Sequence, residues 1–205
     1  MARESRPIVK LSRREGYALH PKAHKALVKR PGPPGQRGNY MGRVKNSQYS
    51  LQLREKQKVK RLYGLLERQF SKLMQEASRT KGQSGATLLQ FLEQRFDNVV
   101  YRAGFAPSRN AARQLTTHGH FMLNGKRIDV PSVRIKAGDK IQLREVSQKN
   151  DYFKHLDELS PPPANLPGWI KVNRKQVSVE IVGSPARDDA EPDIKEQLIV
   201  EYYSR

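Results

Sequence analysis

Cysteine is absent from the 205 residues, which excludes disulfides, thiolate zinc sites and cysteine nucleophiles. No apolar run approaches the roughly 18 residues that span a bilayer. The stretch Met1-Ala2-Arg3-Glu4-Ser5-Arg6-Pro7 lacks the apolar core of a secretory signal. A soluble, cytoplasmic protein is expected. Catalytic patterns are missing as well, with no Gly-x-x-x-x-Gly-Lys phosphate loop and no Gly-x-Ser-x-Gly elbow. His20 and His24 stand four residues apart, but without the intervening glutamate of a metalloprotease helix. Asp188, Asp189, Glu191 and Asp193 suit a loop and the start of a last helix, where carboxylates complement the dipole. No catalytic residue, cofactor or metal site is expected. Acidic residues are scarce: 20 Asp+Glu face 39 Lys+Arg, a net charge of +19.

That charge is concentrated. Residues 1–60 carry +13 and residues 61–150 carry +9, whereas residues 151–205 carry −3. A mixed solvated surface would not be so polarised, and a field of this size binds polyanions. The single tryptophan, Trp169, lies far from the basic clusters, which argues against a membrane-surface helix. Nucleic acid is the expected partner. The first 45 residues have sparse apolar residues, Ile8, Val9, Leu11, Leu19, Leu27 and Val28, and a Pro31-Gly32-Pro33-Pro34-Gly35 run. This segment is expected to be extended and to gain order by wrapping RNA.

From Gln48 the pattern turns helical. Val59, Leu62, Tyr63, Leu66, Phe70, Leu73, Met74 and Ala77 form an apolar stripe, interrupted at Gly64. Thr87 is expected to cap the next helix, and Leu88, Leu89, Leu92, Phe96, Val99 and Val100 form one helical series ending near Gly104. Ser108 is a good N-cap for a helix from Arg109 to about His118, stopped at Gly119. Strands then follow at Phe121–Leu123, Lys126–Val130, Val133–Ile135 and Ile141–Leu143, the first two joined by an Asn124-Gly125 turn. Ser160-Pro161-Pro162-Pro163 reads as a stiff connection. Trp169–Val172 and Val177–Ile181 should extend the sheet, and Asp193 should cap a final helix burying Leu198, Ile199 and Tyr202. Residues 198–203 also suit a strand.

Several stretches carry a family resemblance. Phe96-Asp97-Asn98-Val99-Val100-Tyr101-Arg102-Ala103-Gly104-Phe105, Ser108-Arg109-Asn110-Ala111-Ala112-Arg113-Gln114-Leu115, Gly119-His120-Phe121-Met122-Leu123-Asn124-Gly125 and Gly138-Asp139 resemble the S-four RNA-binding module. Leu53-Arg54-Glu55-Lys56-Gln57-Lys58-Val59, Leu66-Glu67-Arg68-Gln69-Phe70 and Leu198-Ile199-Val200-Glu201-Tyr202-Tyr203-Ser204 extend the likeness. With Leu11-Ser12-Arg13-Arg14-Glu15-Gly16 and Pro34-Gly35-Gln36-Arg37-Gly38, nearly the whole chain resembles the bacterial small-subunit ribosomal protein S-four family.

The resemblance implies an α+β architecture: a basic N-terminal segment (1–45), a helical domain (46–87 with 183–205) and an inserted RNA-binding module with a small antiparallel sheet (88–182). It implies a primary binder of small-subunit ribosomal RNA that nucleates assembly of the five-prime domain. It further implies contacts with small-subunit proteins five and three, a place at the messenger entrance, an influence on decoding accuracy and, in some members, repression of their own operon. Neither a membrane nor stable homo-oligomers belong to this picture. One branch of the family holds zinc on four cysteines, but the corresponding positions here are Val9, Ser12, His20 and Lys25, which cannot complete a site.

Candidate RNA contacts follow from charge and placement. In the first segment they are Arg3, Arg13, Arg14, Lys22, Lys29, Arg30 and Arg37, with Arg43 and Lys45 implied to approach the messenger. In the helical part they are Arg54, Lys56, Lys58, Arg61 and Arg68. In the module they are Arg109 and Arg113 on one helix face, His118, and Lys126 and Arg127 on the hairpin. Two rivals remain open on composition alone. A DNA-coating protein would show no preference for folded RNA, and an RNA-modifying enzyme with this module would turn over a substrate.

Overall fold

Apolar residues at three- and four-residue steps make helices in the first half of the chain, and alternation makes strands in the second. The structure, a computed structural model, describes residues 4–35, 47–163 and 165–204. Among the described residues are eleven α-helices and five β-strands, and no helix is long and apolar enough to cross a membrane. The chain divides into two units, Met1–Leu88 with Pro192–Arg205, and Leu89–Glu191.

The start of the first unit is not extended, as its composition suggests, but helical. Helices α1 (Ile8–Glu15) and α2 (Pro21–Lys29) pack together and bury Leu11, Leu19 and Ala23. Pro21 suits the first helical position, and His20 Nδ1 caps α2 by accepting from the Lys22 N–H at 3.0 Å. Arg13 Nε donates to the carbonyls of Arg30 and Gly32, each at 3.1 Å, and so ties the glycine–proline turn to α1. Three apolar residues and one arginine hold this stretch as a helix pair, where its sparse composition suggests extended chain.

Helix α3 (Gln48–Leu62) is capped by Ser47 and ends where Gly64 takes φ +65, a conformation that costs glycine little. Helix α4 (Glu67–Arg79) follows at once. The expected stripe is the core here, with Val59, Phe70 and Ala77 fully buried. Thr87 is not a cap: helix α5 (Ser84–Glu93) has already begun, and the Thr87 hydroxyl bonds the Gln83 carbonyl one turn back.

The helical series across 88–100 is broken in two. After α5 the Gln94 carbonyl accepts from the Ile135 N–H, Arg95 bridges Arg134, and the Phe96 N–H donates to the Val133 carbonyl. Val133–Ile135, expected as a strand, spends its backbone groups on this break and joins no sheet. Helix α6 (Phe96–Arg102) then leads through Gly104, and Ser108 caps α7 (Arg109–Thr117), its hydroxyl accepting from the Ala111 N–H. Gly119, at φ +70, stops it.

The sheet has the order β2-β1-β3-β5-β4, with every pair antiparallel. Its strands are β1 (Phe121–Leu123), β2 (Lys126–Ile128), β3 (Lys140–Leu143), β4 (Ile170–Asn173) and β5 (Ser178–Ile181). Asn124 and Gly125 both take positive φ in the β1–β2 turn, as a two-residue hairpin loop requires. Phe121, Ile141, Val179 and Ile181 face the core shared with α6 and α7. Between β3 and β4 lie three single-turn helices, α8 (Glu145–Gln148), α9 (Asp151–Lys154) and α10 (Leu156–Leu159). The proline strap after them is pinned by Ser160, whose hydroxyl bonds the Gly104 carbonyl at 2.9 Å.

The chain returns to the first unit as helix α11 (Glu196–Tyr203), so 198–203 is helical and Ile199 is fully buried. Asp193 does not cap it. Its carbonyl accepts from Lys58 Nζ, while the Lys195 N–H at the cap position donates to Glu55 Oε1.

Candidate nucleic-acid interface

The cations named from the sequence fall into two groups. Some are consumed by carboxylates of the same unit. The Glu15 side chain, fully buried at the end of α1, pairs with Arg61 and, at 3.2 Å, with Arg54. Burial pushes the Glu15 carboxyl above its ordinary range against the pull of these arginines, and burial likewise lowers the Arg61 guanidinium. Lys56 and Lys60 reach Glu67 at 2.7 and 2.8 Å, and Lys56 also lies 4.5 Å from the Tyr202 ring centre. Burial raises the Glu67 carboxyl, but hydrogen bonds from Lys56, Lys60 and Tyr203 outweigh it and hold it at about 2. Lys58 pairs with Glu55 at 2.8 Å.

The module repeats this arrangement. Arg109 donates to Asn98 Oδ1 at 3.0 Å and to Glu191 at 3.1 Å, with its guanidinium 4.6 Å from the Tyr101 ring centre. Arg113 is buried and meets Asp97 at 3.3 Å, which also takes a two-pronged bond from Arg95. Arg102 is held the same way by the fully buried Glu93. Spacing had placed Arg109 and Arg113 on one helix face. The structure confirms the face and puts internal acids against it.

Others stand in solvent. Arg14, Lys22, Lys29, Arg30 and Arg68 are exposed in the first unit and form no ion pair among the described residues, and Arg13 is spent on backbone carbonyls. In the module His118, Lys126 and Arg127 are exposed and equally unpaired. Arg3, Arg37, Arg43 and Lys45 lie outside the described residues.

Around Gly119 the structure adds one residue that the sequence reading did not single out. Arg144, just after β3, donates from Nη1 to the Gly119 carbonyl at 3.1 Å. Arg127 of β2 lies against the same glycine, where an added Cβ would come 2.6 Å from its Nε. His118 and His120 flank it with ring centres 6.0 Å apart. His120 Nδ1 is 3.1 Å from the Ser147 hydroxyl, and its ring meets Phe153 edge-on. Burial, then the neighbouring His118 and Arg144, holds the His120 imidazole below its ordinary 6.5. Among the described residues no hydrogen bond or ion pair joins Arg127, Arg144, His118 or His120 to a carboxylate. Their sequence signals were the basic hairpin and the two histidines that flank Gly119 at a helix end. Arg144 comes from a strand end 17 residues beyond Arg127, and pairing of β1 with both β2 and β3 brings the two together.

Among the described residues no three His, Asp or Glu side chains gather as a metal site. The arrangement offers fixed positive charge, donors and shape.

Known families match both units. The Ribosomal protein S4/S9 N-terminal domain matches residues 3–93 and the S4 domain matches residues 94–141. The small ribosomal subunit protein uS4 of Roseiflexus castenholzii is 48% identical over 206 residues, covering all of both chains. Those of Chloroflexus aurantiacus, at 48% over 206 residues, and Clostridioides difficile, at 47% over 211, also match end to end. A helical first unit and an α+β module carrying a five-stranded antiparallel sheet agree with both matches, and with identity near one half along its full length the chain belongs to the uS4 family of structural, non-enzymatic ribosomal proteins.

Proposed function

We propose that this chain is a constituent of the small ribosomal subunit, in the cytoplasm, where it binds ribosomal RNA as a primary binder of the five-prime domain. The carrying observation is the division of its cations. Those set deep in each unit meet carboxylates, while Arg14, Lys22, Lys29, Arg30, Arg68, His118, Lys126 and Arg127 meet none among the described residues and face solvent. A phosphate backbone supplies the missing anions. In this reading Arg54, Lys56, Lys58, Arg61, Arg109 and Arg113 act chiefly through the scaffold that presents the exposed set. Arg3, Arg37, Arg43 and Lys45 join the RNA-facing set on charge and position in the chain, the last two toward the messenger. Nucleation of assembly, contacts with small-subunit proteins five and three, an effect on decoding accuracy and repression of its own operon's translation belong to the same proposal by family likeness.

The test is a titration of the full chain with the small-subunit RNA five-prime domain, across a salt series, with duplex DNA and unrelated RNA as competitors. A complex that survives competition is expected. In Lys126→Gln/Arg127→Gln the salt slope should fall by about 1–2, since each phosphate contact contributes roughly one. Equal affinity for every polyanion would reduce the protein to a charged coat and overturn the proposal.

A further inference from the structure

Gly119 is the point at which unpaired positive charge converges. Arg144 holds its carbonyl and Arg127 lies against its Cα, while the two flanking imidazoles are 6.0 Å apart. Elsewhere in this unit the inward-lying arginines have acids: Arg95 and Arg113 share Asp97, Arg102 and Arg109 share Glu191, and Arg102 also meets Glu93. Here the described residues supply none. The elements around the cluster bring no carboxylate partner to it among the described residues. From α8, Glu145 is exposed and bonded to none of the four, and Ser147 contributes a neutral hydroxyl. From α9, Asp151 is paired with Lys154, and Phe153 contributes only its ring. Lys126 of β2 adds charge of the same sign.

A helix C-terminus ordinarily repels an anion. At this one Gln114, Leu115 and Thr116 accept from the N–H groups of His118, His120 and Gly119, and Gly119 accepts from the Arg144 guanidinium, whose positive charge opposes the negative end of the dipole. The fixed charge on the two guanidinium groups favours an oxyanion, while burial, with His118 and Arg144 beside it, disfavours the charged form of the His120 imidazole.

We infer that the end of α7 is a binding site for one phosphate group of the RNA backbone, and that it takes up a proton from solvent as it fills. Arg127 and Arg144 provide the permanent charge; His118 and His120 provide the charge that appears on binding. The inference rests on the RNA-binding reading above. An anion beside an imidazole favours its charged form, so the complex holds more protons than the free protein. Affinity consequently rises as pH falls through the range between the free and bound titrations, and it is level above both.

The experiment measures binding of the full chain to the five-prime-domain RNA between pH 8.0 and 5.5 at constant ionic strength, alongside His118→Gln/His120→Gln. A histidine whose titration moves up by one unit contributes up to about tenfold. Wild type should tighten by about 5- to 20-fold toward pH 6, and the variant's affinity should follow pH with a clearly shallower slope. Because His120 packs on Phe153, nuclear magnetic resonance titration of the wild-type imidazoles, with and without RNA, provides a second readout that needs no substitution. An upward move of either imidazole on binding is the expected result. Parallel slopes in wild type and variant, or imidazoles that titrate alike with and without RNA, overturn the inference. A protein that forms no selective complex at any pH overturns the RNA-binding reading instead, so the two failures are distinguishable.

Discussion

Replacing Glu67 by Gln removes the one carboxylate that faces two inward-lying ammonium groups and a phenol. Lys56, Lys60 and Tyr203 all donate to it, at 2.7, 2.8 and 2.9 Å. Holding the carboxyl at about 2 instead of its ordinary 4.5 favours the folded, ionised form. At about 1.4 kcal/mol per unit that difference has a ceiling near 3.4 kcal/mol. The Glu67 side chain is 47% exposed, so solvent screening reduces the figure to about 1–2 kcal/mol. The folded-state value is the lower one, so the contribution is complete above pH 4.5 and is lost as pH falls through about 2. Urea unfolding, followed by near-ultraviolet circular dichroism of the tyrosines, reads this directly. Glu67→Gln should lose about 1–2 kcal/mol at pH 7, and its gap to wild type should close between pH 4.5 and 2. Equal stability at pH 7, or a gap that persists unchanged to pH 2, would refute the reasoning.

Phe70 is fully buried in the first unit, and Phe70→Ala should cost about 3–5 kcal/mol in the same urea assay. A negligible change would remove Phe70 from the core. Ser108→Ala deletes the acceptor for the Ala111 N–H at the start of α7 and should cost about 1 kcal/mol in thermal unfolding, with Ser108→Asp close to wild type. If alanine and aspartate behave alike, the hydroxyl is no cap.

Much of the module was legible because its signals are local. Ser108 and Gly119 mark the two ends of α7 by cap chemistry, and Asn124-Gly125 marks the hairpin by its tolerance of positive φ. The stripe from Val59 to Ala77 follows from helical period alone. Where the reading departed from the structure, a distant partner decided. Val133–Ile135 alternates like a strand, yet its backbone groups go to Gln94, Arg95 and Phe96. Asp193 has the chemistry of a cap, but Lys58 takes its carbonyl from across the unit. The candidate interface shows the same limit. Charge and placement found the cations, but not which would be neutralised. Arg61 meets Glu15 across 46 residues, and Arg109 meets Glu191 across 82. No periodicity encodes such pairings. They follow from the fold as a whole, which is also why Arg144 escaped notice.

The first unit is completed by a helix made long after the rest of it. Gln52 of α3 bonds Glu201 of α11, 149 positions downstream, and the whole second unit is synthesised in between. Domains usually fold in the order in which a chain is translated. Here that order cannot complete the first unit: α11, which packs on α3 and lays Tyr203 against Phe70, is made only after the whole module. Until Ile199 arrives, the first unit therefore keeps an open hydrophobic seam. That interval is when a chaperone, or early contact with RNA, would do most to keep the chain from aggregating.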